Sequence, residues 1–173
     1  MRDIIFEYKE LLATKLEMEE KLNALPKGYI SKKTIGGKKY LYLQTRNGDT
    51  VESKYIKAEE AGKITSQLSL RKEYEAELPE IILRLADIET AAELLDKALL
   101  RKLKVLKLTS GMDGISVDEK KKSISFSEAM TSIEGVPVSN QVKADFVHWK
   151  NGNLTFLSVF EQTLRRYGFA TEA

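Results

Sequence analysis

The sequence predicts a mostly α-helical protein of the α+β class. Long antiparallel helices carry a small three-stranded antiparallel β-meander, and a C-terminal three-helix module follows. Three observations support this prediction. Apolar residues recur every three to four positions over most of the 173 residues. Between residues 29 and 56 the period changes to two, which is typical of strands. After residue 123, three short amphipathic patterns are separated by glycines.

Composition limits the classes of function. The chain has no cysteine and a single histidine, which excludes disulfides and argues against a transition-metal site. We therefore expect no metal and no cofactor. We also find no nucleotide-binding glycine loop and no catalytic constellation, and we expect no enzyme activity. No apolar run approaches the length of a membrane helix, and the N-terminus lacks a signal-peptide core. These features predict a cytoplasmic protein.

The first element is predicted to be a long helix from Arg2 to Leu25. Its apolar seam has heptad spacing with one break, at Lys15. Such a seam favours packing against a second long helix of the same chain, or a homodimer through the long helices. The seam consists of Ile4, Tyr8, Leu11, Lys15, Met18, Leu22 and Leu25.

Three strands are predicted next, over residues 29–35, 38–45 and 50–56. Gly36-Gly37 predicts a two-residue hairpin turn, and Asn47-Gly48 predicts a second turn. In the middle strand two tyrosines alternate with two leucines, so one face is predicted to be aromatic and the other aliphatic. The strands therefore form a meander that needs a helix to cover one face.

From Lys57 to about Leu108 the pattern is helical again, with Pro79 inside it. We expect a kink or a short break at this proline. Glycine and polar residues follow from Thr109, and a charge run ends at Lys122. We therefore predict a long-helix and hairpin module over residues 1–108, a linker over 109–122 and a three-helix module over 123–173.

The three-helix module places one carboxylate near a helix end. Ser125 is a candidate N-cap with Glu128 as its capping-box partner, and Gly135 can end the helix. Glu134 then lies in the last turn, where the helix dipole disfavours an anion, so it would gain from an external cation. Two further helices are predicted, over 139–150 and 154–167.

Residues 129–168 resemble the small three-helix antitoxins of the VbhA type, which inhibit Fic-domain adenylyltransferases. The resemblance is carried by Glu134-Gly135, by Pro137 in the following turn and by Gly152 between the next two helices. The sequence departs from the family at Met130, where the family has Ser or Thr. Thr131 lies one residue later than that position.

The resemblance implies an antitoxin whose partner is a Fic-domain toxin, which carries out AMPylation. Glu134 would pair with the toxin's catalytic arginine and occupy the position of the ATP γ-phosphate, in a motif with Met130, Thr131 and Gly135. The carboxylate–guanidinium pair would be charge-assisted. Apolar side chains would contact either the toxin or the rest of this chain, namely Phe126, Ile133, Val142, Phe146, Trp149, Phe156 and Phe160.

The alternative is a nucleic-acid-binding regulator that uses the basic hairpin, with operator DNA as one partner and the helices for dimerisation. Residues 27–63 contain nine basic and four acidic residues with interleaved tyrosines. In the other interpretation, the lysines only protect exposed edge strands from pairing with other chains, and the tyrosines pack on the helices. Residues 25–44 also resemble an uncharacterised bacterial helix–hairpin–helix module. The candidate contacts are Lys32, Lys33, Lys38, Lys39, Tyr40, Tyr42 and Arg46.

Overall fold

A computed structural model describes residues 3–169 of the chain. Within them, helices dominate and the strands form one small antiparallel sheet, so the predicted α+β class is confirmed. In chain order, the elements are α1 (Ile4–Ala24), β1 (Tyr29–Ile35), β2 (Lys38–Asn47), β3 (Thr50–Ile56), α2 (Ala58–Leu95), α3 (Lys97–Thr109), α4 (Val117–Ile133), α5 (Asn140–Lys150) and α6 (Phe156–Arg166).

The chain separates into two compact units. The sheet unit spans Thr14–Ala86 and contains all three strands. The helical unit combines the segment that ends at Ala13 with the segment that begins at Asp87. The predicted division into a module over residues 1–108, a linker over 109–122 and a module over 123–173 stays a prediction.

The sheet has the order β1-β2-β3, and both pairings are antiparallel. Gly36 and Gly37 join β1 to β2 with φ angles of 57° and 78°, the positive values that a type I′ hairpin turn requires. The predicted bounds of β1 and β3 are confirmed, and β2 extends two residues beyond its predicted end. The period of two and the turn residues thus located the sheet correctly.

Helix α2 continues through Pro79 as one element, so of the two outcomes expected there the short break is wrong, while the kink stays a prediction. The interruption lies instead at Asp96, between α2 and α3. The Asp96 carboxylate accepts a hydrogen bond of 2.8 Å from the backbone N–H of Ala98 and caps α3. An N-cap side chain that satisfies a free N–H favours a new helix start at this point.

Helix α4 begins at Val117, so the helix start predicted at Ser125 is wrong. The capping box uses Ser116 and Glu119 instead of Ser125 and Glu128. The charge run from Asp118 therefore belongs to the first turns of α4, although it was predicted as the end of a linker. Acidic residues in this first turn are stabilised by the helix dipole.

The helical unit has its own core, in which Leu103, Trp149 and Val159 are almost fully buried. Asp113 lies just before α4, and its Oδ1 atom accepts two hydrogen bonds, from the Trp149 indole at 2.9 Å and from the Phe156 backbone N–H at 2.8 Å. One carboxylate thus connects the loop before α4 to both α5 and the start of α6. The predicted helices over 139–150 and 154–167 are confirmed within two residues at each end.

Candidate functional site

The strand register places every tyrosine of the sheet on the same face. Tyr42 lies directly opposite Tyr55, and Tyr29 lies opposite Gln44. Residues two apart along a strand share a face, so Tyr40 joins them. We call this surface the aromatic face. It consists of Tyr29, Ser31, Lys33, Ile35, Lys38, Tyr40, Tyr42, Gln44, Arg46, Val51, Ser53 and Tyr55.

Three of the four rings form a connected cluster. The Tyr55 ring centroid is 5.8 Å from that of Tyr42, in an edge-on arrangement, and 6.2 Å from that of Tyr40. These separations are in the range of favourable aromatic pairs. The cluster is nevertheless open to solvent, since Tyr55 retains 53% of its accessible surface and Tyr29 retains 59%. The aromatic face therefore presents large ring surfaces that nothing in the sheet covers.

The same face carries positive charge. Lys33, Lys38 and Arg46 lie on it, and its described strand residues include no Asp or Glu. The Lys33 ammonium lies 5.0 Å from the Tyr42 ring centroid, a cation–π contact. The Arg46 Nε donates a hydrogen bond of 3.2 Å to the Gly48 carbonyl, which fixes the guanidinium beside the β2–β3 turn. The face thus combines exposed rings with uncompensated cations.

The opposite face is aliphatic and includes Ile56, which is 2% exposed. Leu41 and Leu43 lie on this face beside Ile56 and Ile30, as their register partners show. Lys32 and Lys39 belong to it as well, which separates them from the aromatic face. Ile56 is buried, whereas Leu41 and Leu43 are half-buried like Tyr40 and Tyr42 on the aromatic face.

The structure therefore divides the candidate nucleic-acid contacts predicted from the sequence. Five of the seven lie together on the aromatic face, whereas Lys32 and Lys39 point to the other side of the sheet. This division follows because successive residues of a strand alternate between faces, and contact of Lys32 and Lys39 with nucleic acid stays a prediction. Three further members were missed, although residue parity from the hairpin turn would have found them: Tyr29, Gln44 and Tyr55.

A polar row crosses all three strands next to the ring cluster. The Tyr29 hydroxyl donates a hydrogen bond to Gln44 Oε1, and Gln44 Nε2 donates to Ser53 Oγ at 3.4 Å. Gln44 is half-buried and lies at the centre of the row. Its side-chain amide is therefore held from both sides.

The start of β1 fits tightly against β2 beside this row. Gly28 has a φ of 111°, and a Cβ atom at this position would lie 2.0 Å from the Gln44 carbonyl oxygen. The Thr45 hydroxyl donates a hydrogen bond of 3.0 Å to the Lys27 carbonyl. A side chain at residue 28 would push the two strands apart, so glycine is required for the row to form.

The second candidate site is the predicted inhibitory motif at the end of α4, and the structure shows some of its expected features. Glu134 is the exposed C-cap residue, and Gly135 follows with a φ of 74°. The Thr131 hydroxyl donates to the Ser127 carbonyl at 2.9 Å, so it is bonded to its own helix. Met130 is 41% exposed. The predicted helix end at Gly135 is therefore confirmed, whereas a role for Glu134 is not tested by this geometry.

The apolar residues predicted to contact a partner fall into three groups. Val142 and Trp149 are 5% and 1% exposed, so the core of the helical unit already uses them. Of the two contacts expected for them, with a partner or with the rest of this chain, their burial agrees with the second. Phe126 and Ile133 are 68% and 80% exposed. The remaining three are half-buried, namely Phe146, Phe156 and Phe160.

Comparison with known families locates one similarity. Residues 8–66 match a family model described as a domain of unknown function, DUF6788. The matched region includes the whole sheet, most of α1 and the start of α2. No curated protein and no solved structure matches the chain.

The comparison overturns the resemblance to Fic antitoxins. The family match lies in residues 8–66 and does not reach residues 129–168, where the antitoxin resemblance was placed. Glycine commonly terminates helices, so a Glu-Gly pair at a helix end is a weak signature of any one family. The resemblance is therefore wrong.

Two other features, a metal site and a membrane-spanning helix, are absent from the described part of the chain. Residues 3–169 contain no group of three or more His, Asp or Glu side chains arranged to hold a metal ion. Among the helices described here, none has the length and apolar character needed to cross a membrane. The aromatic face is thus the site with the most developed geometry.

Proposed function

We propose that this protein binds single-stranded nucleic acid on the aromatic face of its sheet. The observation that carries the proposal is the exposure of Tyr29 and Tyr55 on a surface with three cations and no carboxylate among its strand residues. Exposed rings and cations on a small sheet are the features with which proteins bind unpaired bases and phosphates.

Stacking would supply the apolar part of the affinity. Each ring of the Tyr40–Tyr42–Tyr55 cluster is oriented by its neighbours, with centroid separations of 5.8 and 6.2 Å. A ring that is already ordered loses little conformational entropy when a base stacks on it. Stacking of a base on an aromatic side chain contributes about 1–3 kcal/mol. Stacking of one base on each of the two exposed rings, Tyr29 and Tyr55, would therefore suffice for measurable binding.

The cations are spaced to follow a phosphate backbone. Lys38 and Arg46 lie at opposite ends of the aromatic face and are eight residues apart on β2. At about 3.4 Å per residue, this distance is roughly 27 Å. Lys33 lies between them, across from Tyr40. A strand of about four to eight nucleotides would extend from one end to the other, within the site sizes of single-strand binders.

Unpaired bases fit this surface better than a duplex. Lys38 and Arg46 lie at the two ends of the face, and the rings and Lys33 lie between them. In a duplex the faces of the bases are stacked inside the helix and cannot contact a tyrosine. Operator DNA, expected as an alternative partner, is thus the less favoured form of nucleic acid. Inhibition of a Fic toxin by Glu134 was inferred from a family resemblance that is wrong, so this function is not proposed.

A matched pair of charge variants tests the proposal. Lys33→Gln, Lys38→Gln and Arg46→Gln together remove three charges from the aromatic face. Lys32→Gln, Lys39→Gln and Lys54→Gln together remove three from the opposite face of the same strands. Fluorescence anisotropy with a labelled single strand of about fifteen nucleotides, at about 50 to 200 mM salt, measures the affinity.

The first variant should lose most of the binding, and the second should keep it. Binding by the wild type should also weaken steeply with salt, and a duplex of the same sequence should bind less tightly. Equal losses in the two variants would show non-specific attraction, and absence of wild-type binding would refute the proposal.

A further inference from the structure

We propose that the exposed edge of β3 pairs with the same edge of a second copy of this chain and so forms a homodimer. This inference is independent of the proposed function, because it uses the edge of the sheet instead of the aromatic face. Within the described sheet, β3 pairs with β2 on one side, and its other side is an edge. Residues 50–55 are exposed. A free edge offers a row of backbone donors and acceptors to another strand.

β3 is a regular strand that lacks the usual protection of an edge. Its seven residues pair with β2 in one unbroken register, so no bulge bends the edge away, and the strand contains no proline. Its single lysine is Lys54, and Glu52 lies two residues before it on the same face. Within residues 3–169, neither of these two side chains forms an ion pair. Both charges are therefore available to a partner.

The β2–β3 turn determines which backbone groups of β3 point outward. A two-residue turn joins Asn47 to Thr50, and these two residues are register partners. The residues that close such a turn are hydrogen-bonded to each other, and along the strands hydrogen-bonded pairs then alternate with non-hydrogen-bonded pairs. Thr50 therefore directs its N–H and C=O groups to β2. The outward backbone groups belong to Val51, Ser53 and Tyr55.

A two-fold axis through Ser53 aligns the full length of β3 with its copy. Ser53 then lies opposite Ser53 of the copy, and Val51 lies opposite Tyr55 of the copy, so outward backbone groups meet outward groups. Glu52 lies opposite Lys54 of the copy in a non-hydrogen-bonded pair, the kind in which side chains are closer. The symmetry repeats both side-chain pairs. Opposite charges, and a β-branched residue opposite an aromatic one, each stabilise a strand pair.

The other edge of the sheet does not have this self-complementarity. The same full-length alignment of β1 with its copy is centred on Lys32. It places Lys32 opposite Lys32 of the copy, and like charges directly opposite each other destabilise a strand pair. β3 is therefore the edge that can pair with itself. Because opposite residues share a face, the two aromatic faces would lie on the same side of the combined sheet.

Charge reversal on β3 tests the inference with the full-length protein. In Lys54→Glu both charged positions of the strand are acidic, and in Glu52→Lys both are basic. Each variant thus replaces two attractive pairs with two repulsive ones, and we expect the dissociation constant of the dimer to rise about 10-fold or more. An interface of one strand per copy is small, so sedimentation equilibrium should cover a wide range, from about 1 to 500 µM protein.

An equimolar mixture of the two variants separates pairing from a structural effect. Each acidic side chain of one variant then faces a basic side chain of the other, so the mixture should regain the dimer mass that the separate variants lose. Far-UV circular dichroism verifies that each variant is folded. Lys32→Glu, on the β1 edge, changes the net charge as much as Lys54→Glu does. It should leave the dissociation constant within about 2-fold of the wild type.

Three outcomes would overturn the inference. The first is a wild type that stays at the monomer mass over the whole concentration range. The second is a dimer that neither reversal weakens, or a mixture of folded variants that stays monomeric, because association would then use another surface. The third is a mass that grows beyond the dimer, which indicates open-ended pairing of unlike edges instead of a two-fold contact. None of these measurements involves nucleic acid, so they leave the proposed function standing.

Discussion

Tyr42 and Tyr55 lie opposite each other on neighbouring strands, with their ring centroids 5.8 Å apart in an edge-on arrangement. The other side of the sheet at this position contains the buried Ile56. The pair therefore stabilises the sheet from its solvent side while more than half of Tyr55 stays accessible. This combination of order and exposure is the basis of the proposed binding surface.

Removal of the Tyr55 ring should weaken binding of single strands. Tyr55→Ala loses one stacking surface, which contributes about 1–3 kcal/mol per base. Affinity should fall roughly 5- to 150-fold, since each 1.4 kcal/mol is a factor of about ten. Tyr55→Phe keeps the ring and should retain affinity within about 3-fold. Anisotropy titrations of both variants measure the difference, and equal affinities for the Ala and Phe variants would argue against stacking.

The salt dependence should report the number of phosphate contacts. The aromatic face has three cations, and each phosphate contact to a single strand contributes about −0.7 to the slope of log K against log salt. The wild-type slope should therefore be about −2. Arg46→Gln should reduce its magnitude by about 0.7. Lys54→Gln, on the opposite face, should leave the slope unchanged, and a reduced slope in that variant would contradict the assignment of faces.

Gly28→Ala should destabilise the sheet unit. The added Cβ atom would lie 2.0 Å from the Gln44 carbonyl oxygen, and the backbone has a φ of 111°. A side chain in such a conformation costs about 1–3 kcal/mol before any clash is counted. Urea unfolding followed by circular dichroism measures the loss. Gly62→Ala is the matched control, since nothing lies within 4 Å of the added atom. It should be neutral or stabilising by up to about 1 kcal/mol, as alanine is the better helix former.

Stability should depend on the ionised form of Glu89. Its Oε1 atom accepts hydrogen bonds from the Tyr8 hydroxyl at 2.6 Å and the Lys107 ammonium at 2.7 Å. Burial raises the pKa of Glu89, but the bonds from Lys107 and Tyr8 together outweigh it and lower this pKa below its ordinary value of 4.5. A lowered pKa in the folded state means that the contribution is complete above the unfolded value and is lost as pH falls through the folded one.

The urea midpoint of the wild type should therefore decrease between about pH 6 and pH 3. Glu89→Gln removes the titrating group, so its midpoint should be lower at pH 6 and should decrease less over the same interval. Parallel pH profiles for the two proteins would show that Glu89 does not contribute to acid unfolding.

The sheet and its faces could be predicted because the signals were local. Two glycine-containing turns and a period of two located the strands, and alternation placed the tyrosines and the leucines of the middle strand on opposite faces. The start of α4 could not be predicted in the same way. Residues 116–128 contain two Ser-x-x-Glu patterns, at Ser116 and at Ser125, and the capping box of α4 uses the first. Local sequence cannot rank them, since the helix that begins at the first continues through the second.

The sequence also could not predict which apolar residues are buried. Phe126 and Trp149 both lie on apolar stripes, but Phe126 is 68% exposed and Trp149 is 1% exposed. The difference arises from tertiary contacts, among them the hydrogen bond from the Trp149 indole to Asp113 across 36 positions of the chain. Amphipathic spacing identifies the apolar side of a helix and does not show what covers it.

Photo-cross-linking tests the central claim most directly. A single strand with 5-iodouracil at each position is irradiated in complex with the wild-type protein, and the cross-linked peptides are identified by mass spectrometry. We expect adducts at Tyr29 and Tyr55, with competition by unlabelled single strand. Tyr167 is an internal control, since it is 54% exposed and lies outside the sheet. Adducts concentrated at Tyr167, or an absence of competed adducts at the sheet tyrosines, would contradict the proposed binding surface.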